Sequence, residues 1–171
     1  MELSSTDART RLRIYLNDHL AGAAGAVRLA RRCQRSNRGT PLSAYLEKFV
    51  VEIDEDRQVV NGLLTSLGMP VDPAKQWLAT FAEVAGRLKL NGQAVGYSDL
   101  SRLVELEGLS LGVAGKLSLW RSLQQLAPTE AAVAALDVAA LIERAEGQRD
   151  ALEAHRLVAA KRALINGERG G

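Results

Sequence analysis

The sequence predicts an all-helical protein, in which four long amphipathic helices pack as one bundle. Apolar residues recur at intervals of three and four along four long stretches, which is the period of an α-helix. Aromatic residues make up only 4% of the chain, and alanine and leucine supply most of the apolar content. This composition suits closely packed helices better than a sheet. Breaker sequences rich in proline or glycine separate the stretches.

The first helix is expected to begin between Ser5 and Asp7, where short polar side chains can cap free amide groups, and to continue to about Gln34. His19 falls on its apolar face. Residues 21–27 are mostly alanine and glycine. Because these residues have little side-chain bulk, a neighbouring helix can approach closely there.

The second helix, predicted over residues 41–68 with Thr40 as its cap, carries the most informative charge pattern. Asp56 lies in the middle of its apolar stripe, and Glu52 lies one turn earlier. Carboxylates on or beside a buried face cost several kcal/mol unless something pairs, protonates or coordinates them. We therefore expect another helix to supply that partner.

The third long helix is expected to start after Ser98 and to end before Pro128. A shorter amphipathic helix is predicted before it, over residues 74–90. Apolar residues on two sides of the third helix indicate a central, well-covered position. Three glycines on it indicate a close crossing, and a homodimer contact and an intramolecular crossing explain them equally well: Gly108, Gly112 and Gly115.

The last helix is predicted from Thr129 or Asp137 to Ile165, and Gln148 and Arg149 interrupt its buried side near the centre. The length suits one well-buried core, and no repeat or interdomain linker is evident.

We therefore expect residues 1–171 to form a single domain, with fraying at residues 1–6 and 166–171.

Composition and charge argue against several classes of function. Cys33 is the only cysteine, so no intrachain disulfide or cysteine-rich zinc site can form. The net charge of +2 gives no sustained basic face for nucleic acid, and the arginines of residues 28–38 complement a helix dipole. No apolar run is long enough to cross a bilayer and no signal peptide is evident, so we expect a cytoplasmic protein that does not bind membranes.

The order of the predicted helices resembles the ferritin-like superfamily, because about thirty residues separate the second long helix from the third. The phrases YLNDHLAGAAGAVRLARR, GRLKLNG and ELEGLSLGVAGKLSLW also resemble uncharacterised actinobacterial ferritin-like proteins. The resemblance covers nearly the whole chain. It implies an up-down four-helix bundle with a long crossover that carries an extra shorter helix, and it implies fold more strongly than function.

Metal-binding ferritin-like proteins use a glutamate from each of two helices and Glu-x-x-His from each of the other two. The residues three positions before His19 and His155 are Leu16 and Leu152, so this motif is absent. His19 and an all-carboxylate set suited to iron or manganese are the nearest substitutes: Glu52 with Glu55, Glu143 with Glu146, and Glu105 or Glu107. The Glu-x-x-Glu pattern is also common on solvated helix faces.

Six polar residues form the candidate site, because an antiparallel bundle can bring several of them to one level: His19, Glu52, Asp56, Glu107, Gln148 and Arg149. In the favoured interpretation the cluster is structural, Arg149 and His19 neutralise the acids, and the chain is a non-catalytic structural or binding module. The alternative is a di-iron or di-manganese oxidase or metal-handling protein, with the acids Glu52, Asp56, Glu107 and Glu146. The missing imidazoles and the arginine, which would repel a cation, favour the first interpretation.

Overall fold

The computed structural model describes residues 5–72 and 97–165, and every regular element within these ranges is an α-helix. The all-helical prediction is confirmed. The short helix expected over residues 74–90 lies outside the described residues, as do residues 1–4 and 166–171. The described residues form five helices, namely α1 (Ser5–Ser36), α2 (Pro41–Ser66), α3 (Asp99–Leu126), α4 (Ala131–Ala134) and α5 (Val138–Leu164).

Side-chain caps visible in the sequence mark the starts of the long helices. The Thr40 hydroxyl accepts a hydrogen bond from the Ser43 amide at 3.3 Å, and the Ser98 hydroxyl accepts one from the Ser101 amide at 3.1 Å. Asp137 caps α5 by accepting from the Ala140 amide at 3.0 Å. The last long helix therefore begins at Val138 with Asp137 as its cap, and the one-turn α4 occupies part of the segment after Thr129.

Each long helix packs against antiparallel neighbours. Helix α3 packs most extensively on α5, α1 packs on α2, and α1 also lies along α3. The end of α1 lies beside the start of α3, where Asn37 contacts Tyr97, and the Tyr15 hydroxyl near the start of α1 lies 3.2 Å from Ser122 near the end of α3. Since α1 is antiparallel to both α2 and α3, the last two run in the same direction.

The apolar core residues within the described ranges form two clusters, one toward each end of the long helices. The first includes Phe49, Leu106 and Leu152, and the second includes Leu63 and Trp120. On α2, α3 and α5 the boundary between the clusters is marked by a buried or half-buried polar residue. The candidate site lies at this boundary.

Candidate functional site

Five polar side chains, here called the polar layer, meet where the two core clusters adjoin. Helix α2 contributes two of them, α3 one and α5 two: Glu52, Asp56, Lys116, Arg144 and Gln148. Asp56 and Gln148 are only 3% and 4% exposed. Their positions follow from helical spacing, since each occupies one turn of an otherwise apolar stripe.

Lys116 lies at the centre of the polar layer. Its Nζ donates a hydrogen bond to Asp56 Oδ2 at 2.5 Å and another to the side-chain oxygen of Gln148. Gln148 Nε2 in turn donates to Glu52 Oε2 at 2.5 Å. A continuous chain of hydrogen bonds thus joins α2, α3 and α5.

A second cation completes the pairing of Asp56. Arg144 Nη2 donates to Asp56 Oδ1, and Arg144 Nη1 donates to Glu55 Oε2 at 2.8 Å. Each oxygen of the buried carboxylate therefore contacts its own cationic donor. Burial lowers the pKa of Lys116, and the Asp56 charge opposes this effect. Pairing of this kind offsets the cost of removing both charges from water.

The structure brings together three of the six residues that the sequence singled out: Glu52, Asp56 and Gln148. Arg149 lies elsewhere, with a side chain 47% exposed and its Nη2 3.1 Å from Asp150. Because successive residues on a helix differ by about 100° in direction, the inward position of Gln148 turns Arg149 outward. Lys116 and Arg144 neutralise the acids, in place of the expected Arg149 and His19.

Glu107 also lies outside the polar layer. Its side chain is 48% exposed, and its Oε1 is 3.8 Å from Arg156 Nη1. Glu146, another acid of the metal-binding alternative, forms a surface ion pair with Arg121 at 2.7 Å. The four acids of that alternative therefore do not converge.

His19 lies on the wall of a neighbouring cavity, with its ring centroid 4.6 Å from that of Tyr15. Burial lowers the pKa of His19, which favours the neutral imidazole, and the Asp18 charge opposes this effect. His19 is thus a wall residue of the cavity, and the cations at Asp56 come from α3 and α5.

The sequence did contain a signal for the two residues that were missed. Lys116 lies three residues after Val113 and four before Trp120, on one apolar stripe of α3. Arg144 lies one turn before Gln148 on α5. A cation on an apolar stripe poses the same burial problem as an acid there, so pairing these cations with Asp56 would have identified them.

The cavity, here called the central cavity, has a volume of about 320 Å³ and lies between α1, α2 and α3. Its walls are mainly apolar. Small residues on two of the helices create this space: Gly22, Ala23 and Ala26 on α1, and Gly108, Gly112 and Gly115 on α3. Asp56, Lys116 and Trp120 form part of the wall, so the cavity adjoins the polar layer.

The glycines of α3 differ in their surroundings. A Cβ built on Gly108 would lie 3.1 Å from Leu29 Cδ2, and one on Gly112 would lie 3.8 Å from Ala26 Cβ. A Cβ on Gly115 would meet no described atom within 4 Å. Gly108 therefore allows α1 and α3 to approach closely within the chain, a Cβ at Gly112 would only reach ordinary contact with α1, and Gly115 faces open space. A homodimer stays a prediction, which light scattering tests.

A second buried polar group, here called the Glu105 cluster, joins the end of α1 to the start of α3. Its members are Arg32, Cys33, Asn37, Tyr97, Arg102 and Glu105. The Tyr97 hydroxyl donates to Glu105 Oε2 at 2.9 Å and accepts from Asn37 Nδ2 at 2.9 Å. Arg32 Nε lies 2.9 Å from Glu105 Oε1, which is close enough for an ion pair but not aligned for a hydrogen bond.

The thiol in the Glu105 cluster is poorly suited to nucleophilic chemistry. Burial raises the pKa of Cys33 to about 12, and its Sγ lies 3.6 Å from the Tyr97 hydroxyl. Almost no thiolate is present at neutral pH under these conditions. Burial also raises the pKa of Glu105, against the effects of Tyr97 and Arg32. The geometry is that of a structural link between two helix ends.

Comparison of the chain with protein-family models, curated proteins and solved structures gives no match. Within residues 5–72 and 97–165, no three histidine, cysteine or acidic side chains are grouped so that they could hold a metal ion. Of the helices described, none is both long enough and apolar enough to cross a membrane.

Proposed function

We propose that this protein is a non-catalytic helical bundle of the ferritin-like type, which acts as a binding module. In this proposal an ion-paired polar layer takes the place of a dimetal centre. The order and directions of the long helices support the ferritin-like layout, since α2 and α3 run in the same direction and a long connection joins them. The observation that carries the proposal is the position of the Lys116 ammonium between Asp56 and Gln148.

The residues of the polar layer do not fit a metal ion. Metal ligands need free lone pairs directed at one point, but both oxygens of Asp56 accept from cations and Glu52 accepts from the Gln148 amide. Lys116 and Arg144 would also repel a divalent cation at short range. The donor set suits an internal ion-pair network.

The central cavity supports a binding role. Its volume of about 320 Å³ falls within the range of small-molecule sites, which is about 300–1,000 Å³. Such sites combine apolar walls with a few polar groups, and Asp56, Lys116 and Trp120 provide polar groups here. The polar layer fixes the relative positions of α2 and α3, two of the three helices that form the walls.

Elemental analysis tests the metal-free core. Protein is purified without chelator from cells supplied with iron and manganese, and we expect no stoichiometric metal. About two metal ions per chain, lost in Glu52→Ala/Asp56→Ala, would overturn the proposal and establish the oxidase or metal-handling alternative. Glu47→Ala is the control, because it removes an exposed carboxylate from α2, the helix that carries Glu52 and Asp56.

A further inference from the structure

We infer that the central cavity binds a neutral, mainly apolar molecule that carries a hydrogen-bond acceptor, such as an aromatic or alicyclic ketone. This inference rests on the proposed binding function and specifies its ligand. It follows from the shape of the cavity, from unpaired donor atoms in two residues that line it and from the charge around it.

The donors are Trp120 Nε1 and Arg57 Nε. Both residues line the central cavity, and within the described ranges both nitrogen atoms are buried without a hydrogen-bond partner. Trp120 is 0% exposed. Buried N–H groups in native proteins almost always have a partner, and an unpaired one is costly. An acceptor atom on a bound molecule would supply that partner once a small movement of neighbouring side chains opens the nitrogen atom to the cavity.

Lys116 adds a third donor to the same wall. Its ammonium group has three N–H bonds, and Asp56 and Gln148 accept two of them. By contrast, the carboxylate of Asp56 already accepts from Lys116 and Arg144. The part of the wall around Lys116 therefore offers donors to a ligand, and a ligand with an acceptor oxygen complements it better than one with donors.

The charge around the cavity favours a neutral ligand. Among the described lining residues, two are acidic and two are basic: Asp18, Asp56, Arg57 and Lys116. Arg57 pairs with Asp54 at 2.6 Å, and Lys116 pairs with Asp56. Because both cations are already paired, an anionic ligand would lose its hydration without gaining an unpaired counter-ion, so the wall favours a neutral ligand over an anionic one.

The rest of the cavity wall is apolar and favours a ligand with a large apolar surface. Phe49, Ile53, Val60, Leu109 and Val113 all contribute to it, and all five are buried in the apolar core. Burial of a ligand's apolar surface against such side chains is favourable, at about 25 cal/mol per Å². A polar molecule without an apolar body would forgo that contribution.

Titration with prodan, a neutral naphthalene ketone whose emission shifts to the blue in apolar surroundings, tests the inference. We expect saturable binding of one molecule per chain, and much weaker binding of the anionic dye anilinonaphthalene sulfonate. Trp120→Phe keeps an apolar ring but removes the indole donor, so it should weaken prodan binding about fivefold to tenfold. Absence of saturable prodan binding, or equal or tighter binding of the anionic dye, would overturn the inference.

A second experiment fills the cavity with a larger side chain and measures prodan binding again. Gly115→Leu should abolish prodan binding without unfolding the protein, because a Cβ there meets no described atom within 4 Å. Gly147→Leu is the matched control, since Gly147 also has open space within a helix but does not line the cavity. If Gly115→Leu fails to fold, Gly22→Leu takes its place, because Gly22 lines the cavity and has the same open space. Wild-type prodan binding in the folded cavity-filled variant would contradict the inference.

The two proposals fail separately. Stoichiometric metal in the elemental analysis overturns the metal-free core whatever prodan does. Protein without metal that also does not bind prodan leaves the ion-paired core in place and rejects the ligand class.

Discussion

The polar layer and the Glu105 cluster both bury a carboxylate, but they neutralise it by different means. Asp56 receives one cationic donor on each oxygen, from Lys116 and Arg144. Glu105, with no exposed surface, receives a neutral hydroxyl on one oxygen and only an ion pair with a half-exposed arginine on the other. The comparison indicates that the charge at Asp56 is an integral part of the core, whereas the charge at Glu105 is tolerated at a cost.

The largest expected effect is that of Asp56→Ala. Removal of this carboxylate leaves Lys116 and Arg144 without their shared partner, so the free energy of unfolding should fall by about 3–5 kcal/mol. Urea denaturation measures the change. Asp54→Ala is the matched control, because Asp54 lies two residues before Asp56 but forms a partly exposed ion pair with Arg57, so its loss should cost less than about 1 kcal/mol. Equal losses in the two variants would show that the polar layer does not stabilise the core.

A smaller loss of stability is expected for Arg144→Ala, and almost none for Arg149→Ala on the same helix. Arg144→Ala removes one of the two cations at Asp56 and should cost about 1–3 kcal/mol. Arg149→Ala should change the free energy of unfolding by less than about 0.5 kcal/mol, because the side chain is half exposed and pairs with its sequence neighbour. Thermal melts of the two variants give the comparison. A larger loss in Arg149→Ala would show that Arg149, as the sequence predicted, stabilises the core more than Arg144 does.

The smallest effect is a pH dependence at Glu105. Burial raises its pKa in the folded state above the ordinary value of 4.5, so the folded protein binds this proton more tightly than the unfolded chain does. The resulting contribution to stability is complete below pH 4.5 and is lost as the pH rises through the folded-state pKa. Each unit by which the pKa is raised corresponds to about 1.4 kcal/mol.

Glu105→Gln removes this titration and keeps a side chain of similar shape. The stability of the variant relative to the wild type should therefore increase between pH 4 and pH 7, as measured by urea denaturation at each pH. A difference that is constant, or that changes in the opposite direction, would show that Glu105 is as well neutralised as Asp56.

Local patterns in the sequence were sufficient for the described long helices and for three residues of the site, Glu52, Asp56 and Gln148. The caps Thr40, Ser98 and Asp137 are short-range features, since each accepts from an amide three residues later. The buried position of Asp56 follows from the spacing of its own helix. Arg149 was misplaced because periodicity alone did not distinguish it from Gln148, and the two neighbours point in different directions.

The sequence by itself determined the helical class, the positions of the helix ends and the presence of charge on an apolar stripe, because these depend on residues within a few positions of one another. Only the tertiary structure decided which cations meet Asp56 and where the glycines of α3 leave a cavity. Lys116 and Arg144 lie 60 and 88 residues from Asp56 along the chain. Whether these side chains reach Asp56 depends on how three packed helices are rotated about their axes and shifted along them, and no local pattern in the sequence specifies this.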